Sequence, residues 1–214
     1  MEYLVAMTTH VPEGTPEAAV DDVRAREAAH SRDLAAQRHL LRLWRPPLEP
    51  GEWRSLGLFA AGDSGELETV LASMPLRVWR TDEVTPLSPH PNDPPPETGD
   101  PVPGPGLPDP PAAAGDVAAE FLTTFTVTIP EGTPAETVAD AEAREADRTR
   151  ELAGQGHLER LWGLPGQGQA LGLWRARDRA GMQAILASLP LGAWLGVQTT
   201  PLTPHPSDPG ITRS

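Results

Sequence analysis

Cysteine is absent from this 214-residue chain, which excludes disulfides, thiolate metal sites and a cysteine nucleophile. Positive charge is scarce too: 17 Lys and Arg stand against 30 Asp and Glu, a formal net charge of −13. Phosphate binding needs clustered cations, so nucleic acid and anionic membrane surfaces are poor partners. Part of the acidity (Glu97, Asp100, Asp109, Asp116) falls in a linker, leaving the folded parts less extreme. No run is long and apolar enough to span a bilayer, and the first seven residues lack a basic flank followed by an apolar stretch. A soluble cytoplasmic protein without a membrane partner is the expectation. No metal-ligand spacing, phosphate loop, nucleophile elbow or dinucleotide fingerprint occurs, so neither metal nor cofactor is expected.

Proline and glycine, by contrast, are plentiful, at 26 and 20 residues, and many gather mid-chain. On either side the sequence repeats. Val11-Pro12-Glu13-Gly14-Thr15-Pro16 returns as Ile129-Pro130-Glu131-Gly132-Thr133-Pro134, and Ala25-Arg26-Glu27-Ala28 as Ala143-Arg144-Glu145-Ala146. Arg42-Leu43-Trp44 matches Arg160-Leu161-Trp162 at the same offset of 118 (27 to 145). The offset then drops to 115 (56 to 171), so the second copy has lost three residues in the loop after its tryptophan. Leu71–Leu76 matches Leu186–Leu191, Trp79 matches Trp194, and His90-Pro91 matches His205-Pro206. The expected organisation is one unit over 1–93, a Pro-rich linker over 94–116, a second unit over 117–209 and a tail over 210–214. Polyproline II extends by about 3.1 Å per residue, so the linker can span tens of ångströms.

Tyr3, Val5, Met7, Thr9 and Val11 alternate with other side chains, as do Phe121 through Ile129; period two marks a half-buried strand. Thr15-Pro16 and Thr133-Pro134 read as an N-cap followed by proline at the first helical position. Helices are expected from there to about Gln37 and Ala153. Two strands follow in each copy, then a helix stopped by Pro75 or Pro190, then a last strand from Trp79 or Trp194. The order βαββαβ is the ferredoxin-like split motif, an α+β unit whose sheet carries helices on one face. Two such units are expected to pair through their sheets as a dimeric α+β barrel. Each is small, which makes such pairing stabilising.

On the first helix Val20, Val23, Glu27 and Leu34 share one stripe, and Val138, Ala141, Glu145 and Leu152 repeat it. A carboxylate thus interrupts the apolar face at one place, twice. Burial is costly for such a group and raises its pKa, which suits a general base working near neutrality. The alternative is a glutamate paired with an arginine, or lying at the stripe's edge. Arg42-Leu43-Trp44-Arg45 and Arg160-Leu161-Trp162-Gly163 could supply carboxylate clamps and pocket walls. Equally, they could be strands with one buried Trp and exposed arginines. The change from Arg45 to Gly163 predicts two inequivalent pockets. His30 lies about 60° from Glu27 on the helix, with Arg148 in its place in the second copy. His39 and His157 are expected at the surface of a helix–strand turn. His90 and His205 close the units, and either could reach a pocket if its tail folds over.

These residues resemble the muconolactone isomerase family: an Arg-x-x-Glu helix, a Leu-Trp-Arg strand end, a Leu-Pro-Leu helix stop and a closing His-Pro. The likeness covers nearly all of both halves. It implies a cofactor-independent isomerase that moves a proton within a small unsaturated lactone bearing a carboxylate. Glu27 and Glu145 would be the proton-shuttling residues and Arg45 would hold substrate carboxylate. Trp44 and Trp162 would line the pockets. Family members pair through their sheets and assemble further, so an intra-chain pseudo-dimer is implied and a homo-oligomer is allowed. The fused form suggests a different small molecule, in specialised metabolism. A lyase or cyclase using the same pocket, or a non-catalytic binding or assembly module, are the competing readings.

Overall fold

The computed structural model describes residues 1–94 and 118–210. The linker beyond Pro94 and the last four residues lie outside the described part. Among the described residues there are eight strands, all paired antiparallel, and four α-helices: an α+β protein.

The first compact unit comprises Met1–Leu87 with the chain from Thr203 onward. It contains β1 (Glu2–Thr9), α1 (Glu17–Ala36), β2 (Leu40–Arg45), β3 (Arg54–Ala60) and α2 (Ser64–Ser73). A 3₁₀ turn over Pro75–Trp79 leads into β4 (Arg80–Pro89). Its strand order is β4-β1-β3-β2, and Trp44 and Arg45 of β2 then pair with Pro204 and Thr203. The alternation in β1 is real: Tyr3, Val5, Met7 and Thr9 are buried and the residues between are not. Tyr3, Val5 and Met7 pack with Leu34 of α1 and Leu67, Val70 and Leu71 of α2.

The second unit is Ser88–Leu202. It repeats the order with β5 (Ala119–Val127), α3 (Ala135–Gly154), β6 (Leu158–Gly163), β7 (Gln169–Ala176), α4 (Arg179–Ala187) and β8 (Leu195–Pro204). Strands run β8-β5-β7-β6, and Gly163 and Trp162 pair with Ser88 and Pro89. Its core differs at several matched positions, among them a coupled exchange in which Trp174 and Thr123 stand where Phe59 and Val5 do in the first unit. The indole N–H donates to Thr123 Oγ1 at 2.8 Å, so the larger ring brings its own buried acceptor. Gly57 and Gly172 face the edges of Phe59 and Trp174, and a Cβ at either would collide with the ring.

Proline starts each long helix differently from expectation. Thr15 Oγ1 donates to Pro12 O and Thr133 Oγ1 to Pro130 O, both at 2.7 Å, so neither hydroxyl caps a helix. Pro16 and Pro134 occupy the N-cap position, and the helices begin one residue later. The hydroxyls instead close tight turns at Gly14 and Gly132, whose φ of +81° and +82° favours glycine. The α2 and α4 N-caps are Asp63 and Asp178, which accept from Glu66 N and Gly181 N. No described helix is long and apolar enough to cross a membrane.

Candidate active site

Helix α1 buries Val23, Ser31 and Leu34, and Glu27 lies between them on that face with its side chain 12% exposed. Glu27 Oε2 accepts the backbone N–H of Leu76 at 2.8 Å, and Oε1 accepts from Arg80 Nη1 at 3.3 Å. Pro75 begins a 3₁₀ turn and leaves the following N–H free to reach the helix. Met74-Pro75-Leu76 is therefore more than a helix stop, since it presents the amide that orients the carboxylate. Burial raises the Glu27 pKa above its ordinary value. The Leu76 amide, Arg80 and His30 oppose that rise, and Asp82 adds to it. Arg80 is itself held by Asp82 at 2.6 and 3.0 Å. A cavity of about 720 Å³ opens beside Glu27, lined also by Ser31, Arg45, Trp53, Arg54 and His205. Arg54 Nε is buried there with no acceptor among the described residues.

Glu145 repeats the first half of this arrangement: its Oε2 accepts from Leu191 N at 2.9 Å. The second half is missing, because Leu195 stands where Arg80 does and Val197 where Asp82 does. Burial raises the Glu145 pKa, opposed only by the Leu191 amide. Its cavity, about 410 Å³, is walled by Phe125, Thr149, Leu161, Trp174, Trp194 and Leu195, with His90 at its edge.

Each cavity is completed by the tail that closes the other sequence repeat. His205 belongs to the first unit and His90 to the second. Asp208 anchors one tail, accepting from Leu43 N at 2.9 Å and Arg42 Nη2 at 3.2 Å. Asp93 anchors the other on Leu161 N at 2.7 Å and on Arg160. Within each tail the histidine Nδ1 accepts a backbone N–H, from Ser207 or Asn92, at 3.1 Å. That fixes a neutral ring with its proton on Nε2. His90 is accordingly lowered in pKa by burial, against the pull of Asp93. His205 is lowered to about 4 by burial and then by Arg45, with Asp208 opposing.

The His205 displacement has a measurable consequence. Below 6.5 the unfolded chain takes up a proton that the folded chain refuses until about pH 4, so stability falls across that window and is unaffected above it. At ~1.4 kcal/mol per pH unit the full loss is at most roughly 3 kcal/mol. Urea titrations of His205→Asn against the parent should show this difference closing as pH rises to 7. A constant difference across the range would refute it. The glutamates, raised rather than lowered, tilt the parent curve the opposite way, so only the difference between proteins is diagnostic.

The remaining candidates separate. Arg45 lines the first cavity; Gly163, its counterpart, is backed by Ser88. Arg42 and Arg160 lie outside both sets of lining residues; each pairs with a tail aspartate and stacks 4.8 Å from Trp44 or Trp162. Trp44 and Trp162 are buried and line neither cavity, so the walls expected from them come instead from Trp53, Trp174 and Trp194. His30 bonds Ser73 at 2.8 Å and Arg148 bonds the equivalent Ser188; neither is among the residues lining these two cavities. His157 is buried rather than superficial, with Nδ1 at 3.0 Å from Arg175 O; His39 makes the same contact to Ala60 O. Both fasten the helix–strand turn to the neighbouring strand. Arg80, Trp53 and the Leu76 and Leu191 amides were not expected. The one available signal was the departure of Arg80 from Leu195 just after the matched tryptophans.

Fold and site describe a ferredoxin-like α+β protein in which each unit sets a helix-borne carboxylate beside a cavity of small-molecule size. The chain belongs to the muconolactone delta-isomerase family, whose model matches residues 1–93 and 119–208. It is an isomerase of that family. The muconolactone delta-isomerase of Cupriavidus pinatubonensis is 36% identical over 92 residues, 43% of this chain and 97% of that one. Muconolactone delta-isomerase 1 of Acinetobacter lwoffii is 32% identical over 92 residues, again 43% of this chain and 93% of its own. A heme-binding protein from Thermus thermophilus shares the fold across 97% of this chain and 93% of its own, with a TM-score of 0.57 at 13% identity.

Proposed function

We propose that the first unit isomerises an unsaturated lactone carrying a carboxylate, muconolactone or a close analogue, with Glu27 as the acid–base group and no cofactor. The observation that carries this is a desolvated carboxylate held by one amide and one arginine at the wall of a cavity rich in cations. Glu27 takes the γ-hydrogen of the conjugated lactone, and the electron pair moves through the ring onto the carbonyl oxygen. The same carboxyl returns the proton to the α-carbon, and the double bond has moved from α,β to β,γ. Charge gathers on the lactone carbonyl oxygen in between, and the neutral His205 Nε2–H is suited to donate to it. Arg45 and the unsatisfied Arg54 Nε supply donors for the substrate carboxylate.

The competing binding-module reading requires both glutamates to be locked on arginines with no cavity beside them. A cavity adjoins each, and Glu145 has no arginine partner among the described residues. The test is proton NMR of muconolactone with EDTA-dialysed protein. Migration of the double bond, unchanged by EDTA, is the expected outcome. Ring opening or cyclisation would identify a lyase or cyclase instead, and an unaltered substrate would sink the proposal.

A further inference from the structure

The two cavities share a framework but not a charge. Arginines 24, 45, 54 and 80 all line the first. Their counterparts in the repeat are Glu142, Gly163, Gln169 and Leu195, so every guanidinium is gone. Among the described residues lining the second cavity there is no Lys or Arg, and its charged groups are Glu142 and Glu145. Polar positions change the same way: Thr9 becomes Val127 and Ser55 becomes Ala170, while Met7 becomes Phe125. A carboxylate entering here would be desolvated against apolar walls with no cation to receive it, and would meet two acids.

What remains polar is little. Glu145 Oε2 is already engaged by Leu191 N. His90 Nδ1 is occupied by Asn92 N, which leaves Nε2–H as a donor. Around these stand Phe125 and Trp174, packed edge to face at 6.1 Å, with Trp194 and Leu161 also in the wall. A volume of about 410 Å³ falls within the usual range of small-molecule sites.

We infer that the Glu145 cavity is a second ligand site, for an uncharged, largely apolar molecule bearing a carbonyl, and that it rejects the anionic lactone. The duplicated chain thus carries two pockets of different substrate class. This goes beyond the isomerase reading of the first unit, because binding here is measured without turnover.

The test compares muconolactone with its methyl ester, nearly equal in shape but different in charge, by calorimetry on the full chain. Ala170→Phe fills the second cavity from β7. It should weaken ester binding by at least ~10-fold and leave acid binding within about twofold, ~10-fold being the scale of one lost charged or well-packed contact. A transplant that restores the Arg80–Asp82 pair, Leu195→Arg with Val197→Asp, covers the case in which the filled variant does not fold. Gly163→Arg is unsuitable because its Cβ would meet Ser88 Oγ at 2.5 Å. The transplant should lower the ester-to-acid affinity ratio by at least ~10-fold. Ester binding that neither variant alters would overturn the inference, as would acid binding lost in Ala170→Phe. Failure of muconolactone to turn over, with these results intact, would count only against the isomerase reading.

Discussion

Glu27→Gln is expected to lower kcat/KM on the carboxylate lactone by about 10²–10⁴-fold, the usual contribution of a positioned acid–base group. The amide is isosteric and can still accept the Leu76 N–H, and Arg80 keeps its two contacts to Asp82. Stability should therefore change little, and KM should hold because the cations that receive the substrate carboxylate are untouched. A fall in kcat at constant KM marks an interaction made only on the way through the reaction. In the parent, the base must be ionised. Because burial raises its pKa, kcat/KM should climb with pH through a midpoint above the ordinary carboxylate value of about 4.3. Loss of that limb in the variant belongs to the same prediction. A variant that retains activity within about threefold would remove Glu27 from the chemistry.

Asp208→Ala should be the most destabilising change in either tail, by roughly 3–5 kcal/mol. Its side chain is fully buried, with Arg42 18% exposed, whereas Asp93 and Arg160 are 22% and 35% exposed. Removing Asp208 takes the carboxylate from Arg42 and the acceptor from the Leu43 amide, and the Gly210 amide also loses its acceptor. Asp93→Ala leaves a better-hydrated arginine and should cost only ~1–2 kcal/mol. Urea midpoints of the two variants give the comparison directly. Asp208→Ala should also free His205 from the first cavity, so its kcat/KM should drop before the protein unfolds. Equal midpoints for the two variants would mean that burial of the pair is not what holds the tail.

Much of this architecture is local and therefore readable. Side chains alternate along an extended strand and recur every three to four residues along a helix, whatever lies elsewhere. So Tyr3–Thr9 declared a half-buried strand, and Glu27 and Glu145 declared themselves as carboxylates on apolar stripes. The sequence repeat supplied a second witness for each feature. It also marked where the halves diverge, since Gly163 stands in place of Arg45.

The environment of those carboxylates was decided by tertiary structure, because it is built from residues far apart in the chain. The amide of Leu76 meets Glu27 across 49 residues and Asp208 meets Arg42 across 166. No local period encodes either contact. The same motif, Arg-Leu-Trp, admitted a clamp and a wall or a buried strand, and the tail aspartates settle it. They draw both arginines toward themselves and stack them on the tryptophans. Which side chains line a cavity depends on which surfaces are left when the larger groups have packed. The sequence by itself determined the elements, their repetition and the acid at the centre of each. Only the folded chain decided that one acid stands among arginines and the other among aromatic rings, because electrostatic surroundings are a property of distance in space.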